Sequence, residues 1–240
     1  MTIIFNIYCL VAALTCSWSG IRLWRNYKKS KTWQLKNYSL GFLFISLAYI
    51  ILSLPKLILF DPFWVQITFI LVDLSFLGAE LFLVPPLLSF SKKFIRFQKK
   101  SFQFFLSIIV IYIFLNIFFF SPALPLITGV TLDYWENGVS WLHSLVWIPI
   151  CLAAFGLGIY FLFQVKNIKE KILFWRSLFI GLGAITVSIA GFLFWYFKFF
   201  YPLIEILNIS GIVGDLGFIF GLIGIIFFQP PREVFVKKIT

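Results

Sequence analysis

Two aspartates occupy places where carboxyl groups are rare. Asp73 lies in the run Val72-Asp73-Leu74-Ser75-Phe76 and Asp215 in Gly214-Asp215-Leu216-Gly217-Phe218, each deep in apolar sequence. An ionised carboxyl in hydrocarbon costs on the order of several kcal/mol unless it is paired, protonated or hydrated, so such acids mark binding or proton-transfer sites by default. Glu80 follows Asp73 at i+7, which puts both on one face of a helix. The chemistry on offer is the holding of a proton, a cation or a polar ligand. The competing structural role is a protonated acid bonded to an adjacent helix, with Ser75, Thr186 and Ser188 as candidate supporting hydroxyls. No His, Cys or Ser cluster and no Asp-rich motif accompanies the acids, so no catalytic or metal-ligating set is expected. His143 is the only histidine, and Cys9, Cys16 and Cys151 fall inside apolar runs, where they read as small packing residues.

The elements that must carry these acids follow from composition. Hydrophobic residues make up 61% of the 240 and charged ones 12%, a balance that marks an integral membrane protein. Seven continuous apolar runs, near residues 3–21, 38–60, 63–84, 102–120, 141–163, 177–200 and 208–228, each approach the ~20 residues that carry a helix across ~30 Å of hydrocarbon. The expectation is an all-α fold of seven transmembrane helices. The first charge, Arg22, follows the first run instead of preceding it, so that run reads as a retained helix and not as a signal peptide.

The net charge of +11 is distributed in a way that argues against nucleic acid. Apart from Lys56 and Lys198, every Lys and Arg lies in the first loop, the third loop, the fifth loop or the tail, all on one side of a seven-helix path. By the positive-inside rule that side is cytoplasmic, with the N-terminus outside and the C-terminus inside, as a multi-pass protein of the cell membrane. The basic loops suit anionic headgroups. Lys56 and Lys198 form an outer-end pair able to snorkel to the opposite interface.

Shifting the chain by 142 residues against itself aligns helices 1 to 3 with helices 5 to 7. Fifteen identical pairs result, among them Cys9 and Cys151, Trp33 and Trp175, Gly41 and Gly183, Ser46 and Ser188, Lys56 and Lys198, and Asp73 and Asp215. Composition alone gives about six or seven. A parallel three-helix repeat is expected, with repeat A at 1–90, a linking helix 4 at 91–120 that reads as a lipid-facing connector, an outer loop at 121–140, repeat B at 141–228 and a cytoplasmic tail at 229–240. Glu80 has no acidic counterpart, because Leu222 stands at the aligned position. Gly214, Gly217, Gly221 and Gly224 fall within about 80° of one another on helix 7 and form a candidate packing seam. Pro85-Pro86 predicts a kink or stop in helix 3.

The 3+1+3 plan with an outside N-terminus resembles the SWEET and PQ-loop carriers and the microbial rhodopsins. The first resemblance implies two halves around a substrate site, although helices 1 and 5 lack the Pro-Gln pair of that family. The second matches Asp73 and Asp215 in kind to the acids near a retinal Schiff base. Ile219 stands where the retinal-bearing lysine belongs, so covalent retinal is excluded there and no cofactor is expected. The function expected is a small transporter, proton- or cation-coupled, with a midplane site between two pseudo-symmetric halves. The alternatives are a sensor or receptor that signals to a cytoplasmic partner, and a lipid-modifying enzyme; a homo-oligomer is compatible with each.

Overall fold

The computed structural model describes residues 2–53, 62–88, 95–120, 141–166, 168–200 and 204–226. Lys56, the 121–140 loop and the 227–240 tail lie outside the described residues, as do the side chains of His143, Lys198 and Asp215. The described chain is helical: α1 (Thr2–Ser30), α2 (Trp33–Ser53), α3 (Pro62–Leu88), a short 3-10 turn (Ile95–Phe97), α4 (Gln98–Phe118), α5 (Trp141–Val165), α6 (Lys171–Phe200) and α7 (Ile204–Ile226). Among the described residues, five stretches are long and apolar enough to cross a membrane, namely Trp33–Ser53, Gln66–Pro86, Gln98–Phe118, Ile148–Val165 and Lys171–Leu193.

Two compact units divide the chain, one made of Met1–Ile150 with Trp195–Pro202, the other of Cys151–Phe194 with Leu203–Thr240. In the first, α1 packs on α2, α2 on α3 and α3 on α4. α1 runs on as helix through Arg22, Arg25, Lys28 and Lys29, so the first basic segment is largely a helical extension. It ends at Lys31, whose φ of 57° is left-handed and whose N–H donates to Tyr27 O at 2.7 Å. That bond closes the last turn in the manner usual for a C-terminal glycine.

Small and hydroxylated residues let α1 and α2 approach. Ser39 Oγ donates to Gly20 O at 2.7 Å, Ser46 Oγ to Ala13 O at 2.9 Å, and Ser17 and Ser46 hydroxyls meet at 2.5 Å. The α2–α3 crossing is tighter still, since a Cβ added to Gly41 would lie 2.5 Å from Leu83 Cγ and 3.3 Å from Ala79 O. Phe44 stacks on Phe82, and Tyr49 meets Phe76 edge-on at 5.5 Å.

α3 starts at Pro62, which supplies a helical φ at a position whose N–H has no intrahelical partner. It does not stop at Pro85-Pro86 but continues to Leu88. The two prolines remove the donors that the Leu81 and Phe82 carbonyls would use, a loss of two bonds within the last two turns that leaves the rest of the helix ladder intact.

The second unit uses the same devices. Ser188 Oγ on α6 donates to Cys151 O on α5 at 2.7 Å. A Cβ on Gly181 would come within 2.9 Å of Leu162 and 3.0 Å of Gly158 O, and one on Gly183 within 2.7 Å of both Gly217 O and Gly221 N. Gly217 and Gly224 turn toward α6, whereas a Cβ on Gly221 would meet nothing within 4 Å.

Candidate functional site

The middle of α3 buries more polarity than any other described segment, which follows from its central place between α2 and α4. Asp73, 0% exposed, lies about 16 Å along the helix axis from Pro62, near the centre of the span, at ~1.5 Å per residue. Its neighbours along the helix, Val72, Phe76 and Leu77, are buried as well. In this setting an ionic or hydrogen-bonding partner is worth more than in water, and its absence costs more.

The partner is Tyr112 of α4, whose Oη donates to Asp73 Oδ2. α4 carries no charge between Lys100 and its end, and most of it is exposed. Its buried residues are Phe105, Tyr112 and Asn116, a narrow stripe at i, i+7 and i+11 that faces α3. Most of the α4 surface is exposed, and this stripe is the part that is packed. Asn116 Nδ2 donates to Tyr112 O at 2.9 Å, tying its amide into the same turn.

Two further polar side chains lie one heptad on either side of Asp73. Gln66 is 2% exposed, and its Oε1 accepts no hydrogen bond among the described residues. Glu80 is 8% exposed, and no hydrogen bond or ion pair joins it to another described residue. Residues seven apart share one helix face, so Gln66, Asp73 and Glu80 form a buried polar row. The Phe63–Phe120 ring contact at 5.3 Å and the Asp73–Tyr112 bond fix α3 and α4 antiparallel, which brings Asn116 to the level of Gln66.

The hydroxyls expected to support the acids are engaged elsewhere. Ser75 Oγ donates to Leu71 O at 2.7 Å, Thr186 Oγ1 to Leu182 O at 2.7 Å, and Ser188 Oγ to Cys151 O. A serine or threonine in a helix reaches its own i−4 carbonyl with little strain, and that bond wins here for Ser75 and Thr186. Asp73 and Glu80 are carried by one helix of the first unit; Asp215 belongs to α7, and the outer-end pair Lys56 and Lys198 and the Asp215 carboxyl lie outside the described side chains.

Tyr112, Asn116 and Gln66 are the residues that sequence reasoning passed over. The heptad Gln66-Asp73-Glu80 was a readable signal for one of them. Among the described residues no group of three or more His, Cys, Asp or Glu could hold a metal ion, and Cys9, Cys16 and Cys151 are buried free thiols. The chain matches no family model, no curated protein and no solved structure.

Proposed function

We propose that the protein is a small polytopic transporter of the cytoplasmic membrane, coupled to a proton or cation, with Asp73 and Asp215 as its paired acids and Glu80 as an added acid in the first half. The observation that carries this reading is Asp73 itself, a carboxyl buried near the centre of an apolar helix and hydrogen-bonded by the Tyr112 hydroxyl of another helix. A purely structural acid would gain about 0.6 kcal/mol from such a bond, little against the cost of placing a carboxyl there.

Matched contacts support two related halves. Gly41 faces Ala79 as Gly183 faces Gly221, and Gly20 meets Ser39 as Leu162 meets Gly181, each pair displaced by 142 residues. Repeated three-helix units moving against each other are how many carriers alternate access to a midplane site.

The test is uptake into proteoliposomes of a panel of small polar and cationic solutes by wild type, Asp73→Asn and Asp215→Asn. Both variants should fold and lose uptake. Equal uptake by all three proteins would remove the reading, and saturable binding without uptake would favour a receptor.

A further inference from the structure

The polar row on α3 continues past the acid pair and asks for an occupant. Gln66 and Glu80 are each more than nine-tenths buried, and both present polar atoms with no partner among the described residues. Buried polar groups without partners are few in folded proteins, and each calls for a specific reason. Here two of them flank a third, Asp73, which is held by a titratable hydroxyl.

The surrounding packing limits what can enter. Val72 and Leu77 beside Asp73 are fully buried, and Ala79 and Leu83 are pressed against Gly41. A proton is the ligand that requires least space, and carboxyl, phenol and amide groups are the ones able to pass it. Among the described residues, the titratable groups on elements packed against α3 are Tyr112 of α4, Tyr38 and Tyr49 of α2, with Tyr49 seated on Phe76, and the exposed cations Lys36 of α2, Arg96 of the 3-10 turn and Lys99 and Lys100 of α4. No cation from α2 or α4 is buried against the row among the described residues.

We infer that the α3–α4 face of the first unit is a proton route, running from Gln66 and Asn116 on the outer side through Tyr112 and Asp73 to Glu80 on the inner side. The inference rests on the transport reading and deepens it, since it names the coupling species and its path. In the forward direction Tyr112 Oη accepts a proton from the outer side while its own proton passes to the Asp73 carboxylate. That proton then moves to the Glu80 carboxylate and leaves to the inner solution, so each group returns to its starting state. Neighbouring members of the row are about 10 Å apart along the helix axis, so the route requires the packed face to open and admit water between transfers.

The experiment uses the full chain in proteoliposomes with trapped pyranine, clamped by valinomycin and potassium, and an external acid pulse. Wild type should acidify the lumen faster than protein-free vesicles do. Asp73→Asn and Glu80→Gln should fall to the leak rate, and Tyr112→Phe should slow by at least about a hundredfold, the lower end of the range for a group that transfers a proton. Tyr160→Phe, which removes a hydroxyl hydrogen-bonded to Gln164 in the second unit, should behave as wild type. If Glu80→Gln does not fold, the near-isosteric Tyr112→Phe still decides the matter. Wild-type flux in folded Glu80→Gln or Tyr112→Phe, or a wild type no faster than empty vesicles, overturns the route. Solute uptake without proton movement would remove the route and leave the transport reading standing; proton movement without any solute uptake would do the reverse.

Discussion

The α2–α3 crossing and the α6–α7 crossing meet at corresponding residues but by different means. In the first unit Gly41 receives a side chain, Leu83, and the nearest backbone atom of α3 stays 3.3 Å from an added Cβ. In the second, Gly183 meets backbone on both counts, Gly217 O and Gly221 N at 2.7 Å. The sequence difference behind this is compact: Ser75 and Ala79 on α3 become Gly217 and Gly221 on α7. α3 keeps side chains on the face where α7 has given them up, and the helix with the fuller face is the one that holds Gln66, Asp73 and Glu80. The α2–α3 crossing thus keeps side chains and buried polarity, where the α6–α7 crossing brings backbone against backbone.

Gly183→Ala attacks that contrast most directly. Its Cβ would strike backbone that cannot rotate away, so a loss of about 2 kcal/mol or more is expected, whereas Gly41→Ala should cost less because the Leu83 side chain can give way. Thermal unfolding in detergent compares the two, and equal losses would erase the distinction. Tyr112→Phe tests the polar half. It leaves Asp73 buried without its phenol and should destabilise by about 1–3 kcal/mol, read in the same assay.

The α1–α2 and α5–α6 turns differ as well. Lys31 holds a left-handed φ in the tight α1–α2 turn, while α5 and α6 are joined by a longer link with a 3.3 Å bond from Ile168 N to Val165 O. Lys31→Gly should therefore stabilise the first unit by about 1 kcal/mol, and none of the described residues of the second link offers the same gain. The smallest effect belongs to the feature the units share. Ser46→Ala and Ser188→Ala should each cost about 0.6 kcal/mol, and a marked inequality would show that the two serine bonds are not equivalent in strength.

Much of this was legible in the sequence, and the reason is the solvent. A bilayer imposes continuous apolar runs, so the helices, and the depth of Asp73 on its helix, follow from hydropathy and a rise of ~1.5 Å per residue. The close approaches at Gly41 and Gly183 were also readable, since small residues are how membrane helices draw together. Tyr112 was not. In a chain with 33 phenylalanines, one phenol on an uncharged helix carries no signal of its own until packing shows which acid it meets. The bonds of Ser75 and Thr186 were not readable for a related reason, because their spacing to the acids says nothing about the backbone carbonyl one turn back that accepts their hydrogen bond. Pro85-Pro86 overstated the end of α3 because a proline costs most in the helix interior and little in the final turns.

The length of α1 sets a scale that the rest of the molecule must respect. Its 29 residues make a rod of about 44 Å, against about 30 Å of hydrocarbon. The basic end is part of the same helix, so Arg22, Arg25, Lys28 and Lys29 are mounted at fixed heights on a stiff post and not on a slack loop. A bilayer that thickens or thins tilts the apolar helix α2, and α1, bonded to α2 at Ser39 and Ser46, tilts with it. Membrane thickness thereby becomes a mechanical input to the helix pair on which the acid-bearing α3 rests.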